Sequence, residues 1–309
     1  MDFKITLVMK SGQSVDFTTI MNLTFTKERY TSHTLLSGKF ISDKLYSEVR
    51  SVALYINGKE YHYGIPDKLE YNYCDGMGVY SFSSRGYSCA LSYNQLTPGL
   101  YSDVTISSLL QSNILLPYVS YEETTSPINY VFVKDNDTMW DAACAFSRKY
   151  AGDYPYIYGA NTVRVTRATL ADKVIASSNI VSISQGQDYT KMISDLHMRD
   201  LNGEYNTYNL TNYKAFERSV TRHRHISFDR QWLSEPDEAM QSVLDYSMRG
   251  MRYKKVCYCG FSGEELRQPV SASSSGIEIA SDEISKLMLK VSPEGVFTTL
   301  WFYEDGYTD

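Results

Sequence analysis

The chain has 309 residues and carries 36 Asp and Glu against 30 Lys and Arg, a formal net charge of −6. That length suggests about two domains, each able to bury a core, and the acidic balance argues against a general nucleic-acid binder. Tyrosine stands out at 27 residues; its hydroxyl lets a large ring sit half-buried in strands and interfaces, so the composition points to a β-rich assembly protein.

The first hundred residues read as successive antiparallel strands. MDFKITLVMKSG opens directly into a strand over Phe3–Met9, with no basic leader and no apolar run long enough for a signal peptide or a membrane span. Synthesis in the cytoplasm without Sec export is expected. A further strand is expected over Met21–Thr26. Val52, Leu54 and Ile56 alternate up to Asn57-Gly58, and Tyr61, Tyr63 and Ile65 alternate away from it; both positions of Asn-Gly accept positive φ, which makes it the strongest two-residue hairpin signal. A second hairpin is expected from Leu69, Tyr71 and Tyr73 through Asp75-Gly76-Met77-Gly78 into Val79–Ser83. These strands suffice for a small barrel or sandwich. After Pro98-Gly99 the pattern changes, and a domain boundary is placed near residue 102.

Helical signals follow. Asp103 or Thr105 can cap a short helix whose Ile106, Leu109 and Leu110 share a face. Val131 and Val133 then alternate with Phe132 as a strand does, Asp135 and Asn136 break it, and Asp137 or Thr138 can cap a second helix. Met139, Ala143, Phe146 and Tyr150 recur on one face of that helix, Arg148 and Lys149 suit its last turn, and Gly152 supplies the stop. Asn161 turns the chain into a strand through Val163 and Val165. Trp140 and Tyr150 are expected to be wholly or partly buried by the helix packing on its strands, which removes the rings on which a sugar would stack.

The C-terminal half is again mainly strand. Val181–Ser184 reads as a strand and Asn202–Asn212 (NGEYNTYNLTN) as a hairpin tip or flexible loop. Ser234, Pro236 and Asp237 mark a helix start, Met240, Val243, Leu244 and Ser247 share its inner face, and Gly250 ends it. Strands are expected over Lys255–Phe261, Gly276–Ala280, Ile284–Val291 and Val296–Phe302, with QPVSASSSG as a short polar linker.

Chemistry is thin. Cys74, Cys89, Cys144, Cys257 and Cys259 show no regular spacing, and their odd number fits reduced thiols. His223 and His225 form an HxH pair and Cys257 and Cys259 a CxC pair, each on one face if in a strand, but neither usual zinc spacing is present and no metal is assigned. Glu122, Glu123, Asp135, Asp137 and Asp141 could suggest a glycosidase pair, yet caps and loop charges explain Asp135 and Asp137 directly. There is no P-loop, no dinucleotide fingerprint and no nucleophile elbow, so neither an enzyme nor a cofactor is expected.

The order of these elements resembles, over nearly the whole chain, the central baseplate hub family of contractile phage tails, prophages and phage-tail-like particles. The resemblance is carried by FSSRGYSCALSYNQL, then TISSLLQ, then YVFVKDNDTMWDAACAFSRKYAGDYPYIYGANTVRV, which is similar in outline to a LysM repeat, then EPDEAMQSVLDYSMRG and KLMLKVSPEGVFTTLWFYED. It implies a mainly β, α+β chain with two tail-tube-like antiparallel β-barrels: residues 1–102, a LysM-like α/β module over 103–175, and residues 176–309 with a helical insertion near 234–250. It also implies a homotrimer in the baseplate of a virion or phage-tail-like particle, assembled in the bacterial cytoplasm, that joins the six-fold tail tube to the three-fold spike. The partners it implies are the tail tube protein, a spike or tail-tip protein, baseplate wedge or LysM-containing baseplate proteins and the tape measure protein, with no membrane and no sequence-specific nucleic acid. The alternatives are a cell-wall glycan-binding LysM-like protein and a tail-associated peptidoglycan hydrolase. Under the hub reading, the basic run Arg218–Arg230 and the tyrosine-rich tract before it supply the interface candidates Tyr205, Tyr208, Tyr213, Arg222, Arg224, Arg230 and Trp232.

Overall fold

The computed structural model describes residues 1–228, 230–232 and 236–304. In chain order it begins with β1 (Phe3–Met9), β2 (Ser14–Phe17), β3 (Ile20–Glu28), β4 (Leu35–Ile41), β5 (Val49–Ile56), β6 (Lys59–Cys74) and β7 (Met77–Gly86). A mixed segment follows: α1 (Ala90–Tyr93), β8 (Gly99–Val104), α2 (Ile106–Leu110), β9 (Ser120–Tyr121), β10 (Ile128–Val133), α3 (Met139–Ala151), β11 (Tyr156–Tyr158), β12 (Thr162–Arg164) and β13 (Lys173–Val174). Then come β14 (Ile180–Gln187), β15 (Asp195–Met198), β16 (Tyr208–Thr211), α4 (Tyr213–Glu217), β17 (His223–Ile226) and α5 (Pro236–Met248). The chain closes with β18 (Arg252–Cys259), β19 (Pro269–Ser274), β20 (Ile277–Glu283), β21 (Lys286–Ser292) and β22 (Gly295–Tyr303). The protein is mainly β, as its pattern of alternation implied.

Two compact units form, one from residues 1–182 with 256–300 and the other from 183–255 with 301–309. In the first, hydrogen-bonded neighbours run β18-β22-β21-β3-β4-β7-β6-β5-β1-β2. That order has two ends, and no closed barrel is found among the described residues. Its turns are those the residues dictate: Asn57 and Gly58 adopt φ of 50° and 79°, and Asp75 and Gly76 adopt 53° and 81°, the primed geometry that matches strand twist. Ile5, Leu7, Phe25, Phe40, Leu54 and Tyr80 fill the inner face. The rings of Phe40 and Tyr80 stack 5.2 Å apart.

Three sequence expectations change here. The runs through Tyr61–Ile65 and Leu69–Tyr73 are one 16-residue strand, β6, with a register shift between Pro66 and Lys68; a proline that ends most strands is tolerated at such an irregularity. Leu35–Ile41, which no pattern singled out, is β4, buried through Leu36 and Phe40. The expected linker QPVSASSSG holds β19, antiparallel to β20. Its serines mask an ordinary alternation, in which Val270 and Ala272 point inward.

The mixed segment builds its own core from Ile106, Leu109, Leu110, Val131, Val133, Met139, Ala143, Phe146 and Val163. Of the alternative caps, Thr105 and Thr138 take the role: each side chain accepts the backbone N–H three residues on, while Ser108 and Asp141 answer back. Asp137 instead accepts from the Lys134 N–H at 2.9 Å, and Gly152 closes α3 in the left-handed region at φ 70°. Trp140 is 8% exposed, and Tyr150 stacks on Phe146 at 5.5 Å. Asn161 does more than turn the chain. Buried, it donates to the Tyr63 carbonyl at 2.7 Å and accepts from the Ser88 N–H at 3.0 Å, tying this segment to β6 and to the turn after β7.

Candidate interaction surface

The sequence-derived interface candidates all fall in the second unit, on and around a small sheet ordered β16-β15-β17. β15 is central, antiparallel to β16 and parallel to β17, with Asp195 opposite Thr211 and His223, and His197 opposite Asn209 and His225. Period-two alternation gives the sheet an apolar and a polar face. Leu196 and Met198 point into a core completed by Met240 and Leu244 of α5, with Tyr208, Leu210, Ile226 and Phe228 packed against it. The inner face read from the α5 sequence is therefore the face that is buried, while Ser234, its expected cap, lies outside the described residues.

The opposite face is polar and rich in histidine. The His197 ring lies 4.9 Å from His225 and 6.0 Å from His223, nearly parallel to both. Asn209 holds His197 through Nδ1 at 2.5 Å, and Asp195 sits 3.3 Å from His223 Nε2. The HxH pair thus gains a third imidazole from a strand distant in sequence, a contact that only the parallel pairing of β15 and β17 creates. Among the described residues no group of three or more His, Cys, Asp or Glu side chains is placed to hold a metal ion.

The seven candidates occupy different environments. Tyr205 lies on the β15–β16 connection, 38% exposed, with its ring edge-on to His225 at 5.1 Å. Tyr208 leans into the core 6.1 Å from Phe228, so its ring is packing rather than tip. Tyr213 opens α4 and is 76% exposed; Phe216, one helical turn on and 54% exposed, was not singled out from sequence. Arg222 is held by its own unit, its backbone N–H on Ser194 Oγ at 2.8 Å and its guanidinium on the Thr190 carbonyl. Arg224 in β17 and Arg230 in a short turn of helix are exposed, and the Trp232 side chain lies outside the described residues. The tract between β15 and β16 is an organised tip. Asp200 accepts from the N–H groups of Asn202 and Glu204, both at 2.9 Å, and from Thr207 Oγ1 at 3.0 Å. The Glu204 N–H in particular holds the Asp200 carboxyl below its ordinary range.

Of the carboxylates that might have suggested a glycosidase, Glu122, Asp137 and Asp141 serve structure, while Glu123 and Asp135 are exposed. Glu122 accepts from the N–H groups of Val165 and Thr166 at 2.7 and 2.9 Å and pairs with Arg164 at 2.9 Å. Burial alone would raise its pKa, but those hydrogen bonds and the Arg164 charge outweigh it and lower it. Asp141 is committed to the α3 cap. No helix among the described residues is long and apolar enough to cross a membrane.

No protein-family model matches the chain, and no curated protein matches it by sequence. Solved structures do match in fold. The chain is similar to the tail protein from Neisseria meningitidis MC58, with TM-score 0.69, 14% identity, and 99% of this chain and 98% of that one covered. It is similar to the prophage MuSo2 tail protein from Shewanella oneidensis, with TM-score 0.64, 11% identity and 97% of each chain covered. It is also similar to an E. coli component of the type VI secretion system described as structurally similar to T4 bacteriophage tail proteins gp27 and gp5, with TM-score 0.56, 7% identity, and 100% of this chain and 78% of that one covered. The chain has the fold of these tail proteins.

Proposed function

We propose that the chain is a non-enzymatic structural component of a phage tail or phage-tail-like particle, acting as the trimeric hub that joins the six-fold tube to the three-fold spike. The observation that carries this reading is the match in fold along the full length of two tail proteins. In it, residues 1–102 and 176–309 supply the two tube-like halves and 103–175 is a LysM-like packing module. The tail tube and a spike or tail-tip protein are the axial partners, with baseplate wedge or LysM-containing proteins and the tape measure protein as further neighbours. Tyr205, Tyr213, Phe216, Arg224 and Arg230 are its candidate contacts because they remain exposed. Glycan binding has less support, since Trp140 and Tyr150 are spent on packing.

Imaging of assembled particles that carry a tagged copy of the chain, together with the native mass of the purified protein, tests this. Three copies on the particle axis are expected. One or six copies on the axis would end the trimeric reading, and particles without the chain would end the structural one.

A further inference from the structure

The second unit holds a polar pocket that the interface candidates leave untouched. Its volume is about 490 Å³, and Gln185, Gly186, Gln187, Arg252, Tyr253 and Glu304 line it, all of them in that unit. Backbone bonds fix its frame. The Asp188 N–H donates to the Met251 carbonyl at 2.7 Å and the Glu304 N–H to the Arg252 carbonyl at 3.0 Å, so the ends of β14 and β22 are both tied to the start of β18. Gly186 sets the shape. A Cβ there would lie 2.5 Å from both Cζ and the hydroxyl oxygen of Tyr253, far inside the roughly 3.5–4.0 Å of ordinary contact. The Tyr253 ring therefore crosses β14 only because residue 186 has no side chain.

Size and chemistry narrow the ligand. The volume lies within the roughly 300–1,000 Å³ of small-molecule sites, but the polar lining departs from the mostly apolar walls usual in them. Covering polar groups costs free energy unless the ligand returns their hydrogen bonds, which an apolar molecule cannot do. Among the lining groups one guanidinium and one carboxylate offset each other, so a strongly charged ligand such as phosphate gains no net attraction. A neutral molecule dense in hydroxyl groups fits both conditions. The amides of Gln185 and Gln187 each hold donor and acceptor side by side, the Glu304 carboxylate accepts, and the Tyr253 hydroxyl does both; adjacent sugar hydroxyls answer such groups in pairs. Gln187 already accepts the Tyr189 hydroxyl on Oε1, which holds that amide in place and leaves its NH2 group to donate. Gln185, Gln187 and Glu304 are exposed, so the mouth is open and a longer chain can extend out of it. We infer that this pocket binds a short neutral saccharide. The site is separate from the segment around α3, whose Trp140 and Tyr150 are committed to packing, and it does not depend on the hub reading.

The test is saturation-transfer NMR on maltose, cellobiose and N,N′-diacetylchitobiose, each with the whole chain, followed by titration of any sugar that responds. Saturable binding of at least one of them is expected. Glu304→Ala, at an exposed position, removes a charged acceptor and weakens that binding about tenfold. Gly186→Ala drives Tyr253 from its place across β14 and abolishes the binding. If that variant does not fold, Glu304→Ala combined with Gln185→Ala, both at exposed positions, decides in its place. No transfer to any of the three sugars would overturn the inference, as would binding that Glu304→Ala and the double variant leave unchanged. A chain that binds sugar at this site but is absent from assembled particles keeps the inference and loses the hub reading, so the two fail separately.

Discussion

His62 shows what a single buried residue adds. It is fully buried, with Thr34 Oγ1 at 2.7 Å from one ring nitrogen and Ser84 Oγ at 2.9 Å from the other. Burial pushes its pKa from 6.5 down to about 3, so the folded chain holds it neutral where an unfolded chain takes up a proton. Stability is therefore expected to fall as pH drops below about 6.5, by up to about 1.4 kcal/mol per pH unit from this residue. His62→Gln should flatten the pH dependence of urea unfolding between pH 6 and 4 by about one proton; an unchanged slope would refute the assignment. Asp153 acts in the opposite sense. It pairs with Arg29 and, at 2.6 Å, with Arg267, a buried residue held at φ 66°. Burial would raise its pKa, but the two guanidinium groups win and lower it below 3.8. Its contribution is present above that unfolded value and lost as pH falls through the folded one. Asp153→Asn should cost roughly 2 kcal/mol at pH 7 by removing the carboxylate that Arg29 and Arg267 share, although Arg267 keeps Glu283 at 3.1 Å. Urea titrations at pH 7 and below pH 3.8 check this: the gap between variant and parent should close at the lower pH. Neither residue was legible in the sequence, because the partners lie 28 and 22 residues from His62 and 124 and 114 from Asp153.

At the scale of elements, α3 was the most readable part of the chain because all its signals are local: the Thr138 cap, the helical spacing of Met139, Ala143 and Phe146, and the Gly152 stop. Thr138→Ala removes the side-chain oxygen that accepts the Asp141 N–H, leaves the Asp141 carboxylate on the residue 138 N–H, and should lower stability by about 1 kcal/mol. A thermal or urea unfolding curve decides it, and no measurable loss would mean that packing alone holds the helix start. β19 and β6 were misread for equally local reasons. Serines disguised an alternating strand, and Pro66 looked like a boundary where the sheet absorbs it as an irregularity. The β15–β16 connection shows a subtler limit. Its polarity marked a tip, but nothing in the run distinguished Tyr205, which is partly exposed, from Tyr208, which packs on the core beneath α5.

For the whole molecule, that distinction determines how the interface candidates are tested. Removing Glu204–Leu210 would take Tyr208 and Leu210 out of the core as well as the tip, so loss of assembly would say nothing about contacts. Tyr205→Ser with Tyr213→Ser leaves the core untouched and removes from the fold only the edge-on contact of Tyr205 with His225. The double variant should stay folded, with unfolding within about 1 kcal/mol of the parent as for ordinary surface substitutions, and should fail to complement particle assembly. Normal full-length particles from that strain would remove both tyrosines from the interface.

The sequence by itself determined the β-rich class, both hairpins, the inner faces of α2 and α3 with two cap candidates for each, and the inner face of α5. Each depends on residues within one or two turns of chain, where spacing and φ preference act directly. Tertiary structure alone decided which of two cap candidates each helix uses, that no closed barrel forms among the described residues, that His197 joins His223 and His225 on one face, that Asn161 bridges β6 to the turn after β7, and that β6 outruns β5. Apart from the caps, those outcomes depend on which strands pair and how far. Pairing is chosen by the joint burial of residues far apart in the chain, and no local pattern records that choice.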